Sequence, residues 1–502
     1  MEKLKLCKQE IKFHLGLNIL IAIFITIASY VHYPYGNLKT IIIYLTHLLL
    51  LQFSVFGFVY VFSLFNIFFK VLFPIFFIVL VSISFWVYTQ DITISLGMIQ
   101  VIAEANIDIA IDVLSLEFIL YLITSITCLF YFMKKYRKVK VSHIKSPLFV
   151  VAIVAILTFF FVENYKHGAF KRRLPYNVYI GFLEYFKKPS LKLKKVKENV
   201  FTNEKNIEIV FVLGESVRAD HLSLNGYHRN TNPLLSDQKN LISYSMVYTP
   251  LTYTAISVPQ ILTDKSIYNK KNTEVVSLFS ILKKANFSTE WIGNQSLEKS
   301  YNDIVHTNES ITIIDKFHSV LSFKKERDLV LLNYYSIDNS LLENRISTLH
   351  MIGSHWYYNT RVTNDFQHFK PITSSKYIGS LTKEELINSY DNTIVYLDYF
   401  LNELIEKLKR SSKKTILIYI SDHGETLGED GKWLHAQEHN ASKNPAMLVW
   451  FSSNFEKSYP LKIKNLKTKQ QDSITTDFLF HSILDISKIQ NYKYIKNQSI
   501  FN

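Results

Sequence analysis

Cysteine is almost absent: Cys7 and Cys128 are the two in 502 residues, and both lie in or beside the apolar first third. Residues 201–502 contain none. A disulfide framework is excluded there, and that segment is long enough to bury a full core of its own. Charge is the second scarcity. The first third is nearly saturated with Phe, Ile, Leu, Val and Tyr, while the remainder has a normal globular balance. The charge the chain does carry is basic, a formal net of +14. Such an excess fits nucleic acid, an anionic membrane surface or an anionic substrate. Nucleic acid is the weakest of these, because much of the basic charge flanks apolar segments.

A spanning helix needs about 20 mostly apolar residues. Five stretches qualify, at roughly 13–33, 40–65, 69–89, 115–133 and 147–164, with almost no charge inside them. Five such runs so close together exclude the buried helices of a soluble protein. Lys3, Lys5, Lys8 and Lys12 open the chain, and Lys134, Lys135, Arg137, Lys138, Lys140 and Lys145 lie before the fifth run. Residues 90–113 hold no Lys or Arg, but hold Asp91, Glu104, Asp108 and Asp112. The bias of Lys and Arg toward the cytoplasm then puts the N-terminus and the 134–146 loop inside and residues 166–502 outside. The first run lacks a small-residue cleavage site, so no cleavable signal peptide is expected. Five spans with few ionisable residues inside them also exclude a transporter. Residues 90–113 are too polar to span, and the helical spacing of their apolar positions predicts a helix lying at the outer interface. Residues 170–188, with aromatics and basic ends, predict a second one, and Lys187–Lys197 reads as a charged tether.

From residue 206 the pattern changes. Segments 207–214, 288–293, 346–353, 415–421 and 446–452 are short, apolar and rich in β-branched or aromatic residues, which predicts buried strands. Helices are predicted between them at 273–285 and 383–409. Alternation of this kind gives a largely parallel sheet covered on both faces. Ligands of such sheets bind beyond the carboxyl ends of the strands.

Polar groups stand at those ends. Glu215 and Ser216 follow the first strand, His355 follows the 346–353 strand, and Asp422, His423 and Glu425 follow the 415–421 strand. Alone, each reads as a turn or a helix cap. Together, carboxylates and imidazoles at one sheet edge form a ligand set suited to zinc or manganese. The segment 248–259 adds Thr252, Thr254 and Ser257. A hydroxyl is a poor nucleophile until a dication lowers its pKa. A helix starting near Thr254 would also favour an anionic phosphoryl group.

These residues resemble the lipid A phosphoethanolamine transferases, the group that includes the mobilised colistin-resistance proteins, within the alkaline phosphatase and sulfatase superfamily. Gly214-Glu215-Ser216-x-Arg218, with the Ser223 to Pro233 segment, looks like that family's first metal motif. Thr252-x-Thr254-Ala255-x-Ser257-Val258-Pro259 is similar to its nucleophile segment. Ser421-Asp422-His423-Gly424-Glu425 matches its second metal motif, and the outer segment around Met98-Ile99-Gln100 also fits.

The resemblance implies a five-helix transmembrane domain at 1–165, an interfacial helix and basic linker at 166–200, and an alkaline-phosphatase-like catalytic domain at 201–502 outside the inner membrane, in the periplasm. It implies zinc, or manganese, on Glu215, Thr254, Asp422 and His423, with Thr254 as the nucleophile. His355, His435, His439, Asn294, Lys299 and Arg218 would contact substrate or a second metal. The implied reaction moves phosphoethanolamine from phosphatidylethanolamine to lipopolysaccharide through a covalent phosphothreonine, a chemistry that confers polymyxin resistance. The partners are a phospholipid donor, an envelope acceptor and the membrane, with no nucleic acid. One departure is local: Asn444 stands where better-known members carry a His before the last core strand. The same core would serve a phosphoglycerol transferase using phosphatidylglycerol. A sulfatase activity would need Cys/Ser-x-Pro-x-Arg, which residues 248–262 lack. A non-catalytic envelope sensor would not retain Glu215, Thr254, Asp422 and His423 together.

Overall fold

The computed structural model describes residues 2–33, 35–90, 116–138, 146–166, 168–187, 191–269, 273–315, 318, 325–337, 343–375, 378–435 and 439–502. The chain divides into two compact units, one built mainly from Met1–Lys187 and the other mainly from residues after Lys188.

In the first unit, helix α1 (Glu2–Phe24) leads through a 3-10 turn (Thr26–Tyr30) to α2 (Leu38–Ser63), α3 (Asn66–Gln90), α4 (Leu116–Lys138), α5 (Pro147–Tyr165) and α6 (Tyr176–Phe186). Four of these, α2 to α5, are long and apolar enough to cross a membrane. The span expected at 13–33 is displaced: α1 takes in Lys8, Glu10 and Lys12 and stops at Phe24, leaving the rest of the apolar run beyond its end. The outer faces carry exposed Leu49, Ile67, Phe68 and Phe161, as lipid-facing helices do. Small residues set the spacing within. A Cβ on Gly57 of α2 would lie 2.7 Å from the Ala152 carbonyl oxygen and 2.9 Å from Ala155 Cβ of α5. The interfacial helix expected at 90–113, with Met98-Ile99-Gln100, falls outside the described residues. Within 170–188, where the second was expected, α6 covers Tyr176–Phe186.

The second unit is organised by a seven-stranded sheet. Its strands are β1 (Ile207–Gly214), β2 (Leu241–Tyr244), β3 (Phe287–Gly293), β4 (Ser310–Ile313), β5 (Asn344–His350), β6 (Lys414–Ser421) and β7 (Met447–Phe451). They lie in the order β2-β7-β6-β1-β5-β3-β4, and β7 alone runs antiparallel to its neighbours. Every residue of β1 is buried, because helices cover both faces of the sheet. Its one charge, Glu208, is met by the Tyr335 hydroxyl at 2.6 Å and by Arg345 at 3.8 Å on β5. Among the covering helices are α7 (Thr254–Ile261), α8 (Leu278–Lys284), α9 (Lys383–Leu408) and α10 (Asp477–Ile486). A Thr382/Glu385 capping box fixes the start of α9, as the sequence Thr-x-x-Glu dictates. The strands predicted from sequence are present, and β2 and β4 add to them at the sheet edges.

Glu204, just before β1, fastens the opposite end of the sheet. Its carboxylate accepts Lys414 at the start of β6 and Lys488 at 2.7 Å, and its carbonyl accepts Asn344 Nδ2 at 2.6 Å. Burial opposes its ionisation, but the two ammonium groups override this and hold it near about 2, below its usual 4.5. A depressed carboxylate stabilises the fold fully above the unfolded value and loses that contribution as pH falls through the folded one. Glu204→Gln should therefore destabilise the purified chain by roughly 1–3 kcal/mol at pH 7. The deficit in thermal unfolding should shrink by more than half by about pH 3. An equal deficit at both pH values would contradict this account.

Candidate active site

Strand register brings the polar segments together. Gly214 of β1 is level with Ser421 of β6, and Leu213 with His350 of β5. The residues that follow therefore leave the sheet at one edge. Gly353, after β5, adopts φ +57°, and a Cβ there would lie 2.7–2.8 Å from the Glu215 backbone. Only glycine allows this approach. It lets the Ser354 N–H donate to the Glu215 carbonyl at 2.9 Å.

Glu215, Asp422 and His423 are all buried, and one ligand atom from each lies within 4.8 Å of the others. His423 Nδ1 donates to the Gly424 carbonyl at 2.8 Å, which turns Nε2 toward the carboxylates. Nε2 lies 3.2 Å from Glu215 Oε1 and 3.4 Å from Asp422 Oδ2 but has no aligned hydrogen bond. Three acceptor atoms thus face one another, and something positive belongs between them. Without a metal, a proton fills the role. Burial lowers the proton affinity of His423, yet Asp422 and Glu215 raise it to about 10. Burial, and then the charge of Glu215, raise Asp422 to about 7. Burial works against ionised Glu215, but the imidazolium holds it well below the carboxylate range. Two carboxylates and an imidazole fit a zinc or manganese ion, and the misaligned Nε2 is a nitrogen such an ion would satisfy.

Thr254 is the first residue of α7 and is half-buried. Its hydroxyl donates to Glu215 Oε2 at 2.8 Å. One turn on, the Ser257 hydroxyl donates to Asp422 Oδ2 at 3.3 Å. Thr252 is buried just ahead of the helix. Two more imidazoles adjoin the cluster: the His435 ring lies 5.4 Å from the rings of both His423 and His355. Burial pushes His355 down to about 3, so it is a neutral lone-pair donor. Glu425 is buried, 3.8 Å from His435, and accepts the Tyr358 hydroxyl at 2.8 Å; burial pushes it up to about 8.

The other residues expected at the site have these surroundings. The Arg218 guanidinium binds Asp220 in a fork at 2.8 and 2.6 Å and also reaches Glu429. His439 accepts the Ala441 N–H at 3.1 Å, capping a 3-10 turn, and lies 3.6 Å from Asp430. Asn294 donates to Asp328 at 3.0 Å, while Lys299 is half-buried five residues later. Asn444 donates to the carbonyls of Ser245 and Val247 at 3.1 and 2.9 Å, so it braces the chain entering β7.

Two supports were not read from sequence. Asp328 accepts the N–H groups of Ile352 and Gly353 at 2.9 and 2.8 Å, fixing the turn that presents His355. The Tyr390 hydroxyl accepts the Arg218 N–H at 2.9 Å and donates to the Ser216 carbonyl at 2.8 Å, clamping the loop after Glu215. The signal for Tyr390 was the run Asn388–Thr393, six polar or tyrosine residues in a helix that are all buried.

Comparison with known proteins agrees with this geometry. The sulfatase family profile matches residues 208–489. The phosphoethanolamine transferase EptA of Escherichia coli (strain K12) is 32% identical over 305 residues, 58% of this chain and 55% of that protein. The chain thus spans about half the length of the curated relatives it matches first. The soluble domain of lipooligosaccharide phosphoethanolamine transferase A from Neisseria meningitidis is 27% identical with a TM-score of 0.55, covering 62% of this chain and 98% of that one. The integral membrane form of that protein superposes over 96% of this chain and 98% of its own, with a TM-score of 0.56 at 23% identity.

Asp422→Ala and His423→Ala should each weaken zinc binding by on the order of 100-fold or more, read by metal analysis and chelator competition. Because both groups hold protons more tightly than usual, the metal must displace protons as it binds. Zinc affinity should therefore rise with pH between about 5 and 8, with proton release seen by calorimetry. Parent-like metal content in both variants would remove them from the ligand set.

Proposed function

The chain belongs to the sulfatase family, and from that premise we propose that it transfers phosphoethanolamine from phosphatidylethanolamine to a lipopolysaccharide acceptor, with Thr254 as nucleophile. The observation that carries this reading is the Thr254 hydroxyl, donating at 2.8 Å to Glu215 within the buried carboxylate–imidazole cluster. That the proteins it resembles are phosphoethanolamine transferases supports the choice of donor group.

The hydrogen bond aims the hydroxyl proton at Glu215 Oε2 and leaves an Oγ1 lone pair free to attack phosphorus. The Oγ1–P bond forms, the bond from phosphorus to the glycerol oxygen breaks, and that oxygen takes up a proton as diacylglycerol leaves. The first turn of α7 offers backbone N–H groups to the phosphoryl oxygens. His355 and His435, beside His423, orient the phosphoryl group. In the second half-reaction an acceptor oxygen gives up its proton and attacks the same phosphorus, the Oγ1–P bond breaks, and Thr254 regains a proton. A zinc or manganese ion bound by Glu215, Asp422 and His423 supplies Lewis acidity to the alcohol and to the developing charge.

The transmembrane segment 1–165, the linker 166–200 and the domain 201–502 then form a multi-pass inner-membrane enzyme with a periplasmic catalytic part. Both lipid substrates are presented at that outer surface. Thr254→Ala should lower transfer by about 1,000-fold or more while leaving the melting temperature within a degree or two. Mass spectrometry of envelope lipids should show the phosphoethanolamine adduct only with the parent chain. Turnover retained by Thr254→Ala would end the assignment, and an adduct of another mass would replace the donor.

A further inference from the structure

A second charge imbalance, of opposite sign, lies in the membrane unit. Arg173 follows α5 by eight residues, on a segment that is firmly pinned. The buried carboxylate of Glu163 accepts the backbone N–H groups of Gly168, Phe170 and Lys171 at 3.1, 2.5 and 2.8 Å. The Leu174 N–H donates to Ser29 Oγ at 2.9 Å. The guanidinium is thereby held among aromatic rings. Its carbon lies 4.7 Å from the Tyr33 ring centre and 5.4 Å from that of Tyr30. Tyr44 packs on Tyr33 at 4.7 Å, and the Tyr30 hydroxyl meets His47 Nδ1 at 2.6 Å.

What the guanidinium lacks is a counter-ion. The titratable groups around it are Tyr33, Tyr30, Tyr44, Tyr35 and His47. Among the described residues no carboxylate pairs with it, and its Nε is buried with no hydrogen-bond partner. Ring faces offset part of the cost of burying a cation. The Tyr33 and Tyr30 hydroxyls also hydrogen-bond the guanidinium, but a neutral hydroxyl supplies no counter-charge, and Nε remains a donor that a phosphate oxygen would satisfy.

The location narrows the choice of anion. Tyr44 and Leu48 of α2 and Val162 of α5 pack against one cluster with Tyr30 and Phe170, so the first half of α2 and the end of α5 lie at the same end of the unit. Exposed Lys166, Lys171 and Arg172 surround that end. Tyrosines mixed with basic residues at the ends of spans mark the headgroup layer, where the abundant anion is lipid phosphate.

We propose that Arg173, framed by Tyr30, Tyr33 and Tyr44, is a binding site for the phosphodiester of a membrane phospholipid headgroup. This site uses neither Thr254 nor the carboxylate–imidazole cluster, and it stands or falls apart from the transferase reading.

Native mass spectrometry of the full detergent-solubilised chain tests it, with added phosphatidylglycerol, with diacylglycerol of the same tails, and with inorganic phosphate. The parent and Thr254→Ala chains should each retain one phosphatidylglycerol at least tenfold more tightly than diacylglycerol. Millimolar inorganic phosphate should not displace it. Arg173→Met should lose this preference tenfold or more, and Arg173→Lys should keep part of it. Equal retention of diacylglycerol by the parent would overturn the proposal without recourse to any variant. So would parent-like binding by a folded Arg173→Met, or loss of the lipid in Thr254→Ala. Displacement by inorganic phosphate would make this a free-anion site and overturn the lipid assignment.

Discussion

Two carboxylates and an imidazole lone pair, buried at one edge of a sheet, repel one another unless positive charge lies between them. Glu215, Asp422 and His423 stand in that relation. Leaving three such acceptors dry is costly, and the cost is met by a proton or by a metal ion. The metal is the better solution chemically, because His423 Nε2 is close to both carboxylates yet aligned with neither. Thr254 is then in the right place to use it, since its hydroxyl already shares Glu215.

Much of the second unit serves to hold that arrangement against its own repulsion. The register of β1, β5 and β6 sets the height of each loop, and Gly353 lets the β5 turn rest on the Glu215 backbone. Asp328 grips the same turn through two N–H groups. From the other side α9 contributes Tyr390, and its neighbour Asp391 receives His221, Tyr227 and Arg229. The segment Ser223–Pro233 is therefore a clamp between the Glu215 loop and α9. Its residues are remote from the chemistry but fix the geometry on which the chemistry relies.

What was legible in the sequence follows from this division. Buried strands advertise themselves by short runs rich in apolar, β-branched or aromatic residues, so β1, β3, β5, β6 and β7 could be read directly, as could the carboxylates and imidazoles that follow them. The edge strands β2 and β4 are four residues each, too short to carry a period. The first expected span is not among the four long apolar helices, because its apolar run extends past the point where the helix breaks into a 3-10 turn at Thr26. For Arg218, Asn294 and His439 residue type shows what a side chain can bind and not which partner it holds within the chain. Those partners are Asp220, Asp328 and the Ala441 N–H. Asn294 and Asp328 are 34 residues apart, a pairing that no local pattern reports.

Buried charge in this protein otherwise finds its partner within the chain. Glu10 receives Tyr60 and Ser146, Glu163 receives three backbone N–H groups, and Glu204 receives two lysines. Glu208 is met by Tyr335 and Arg345. Against that background two places stand out among the described residues. At the sheet edge negative charge exceeds what the protein neutralises, and around Arg173 positive charge does. A buried charge with no opposite charge beside it in the chain can take its counter-charge from outside. On this argument the sign of each excess is what favours the visitor proposed for it: a metal cation at the first, a phosphate-bearing lipid at the second.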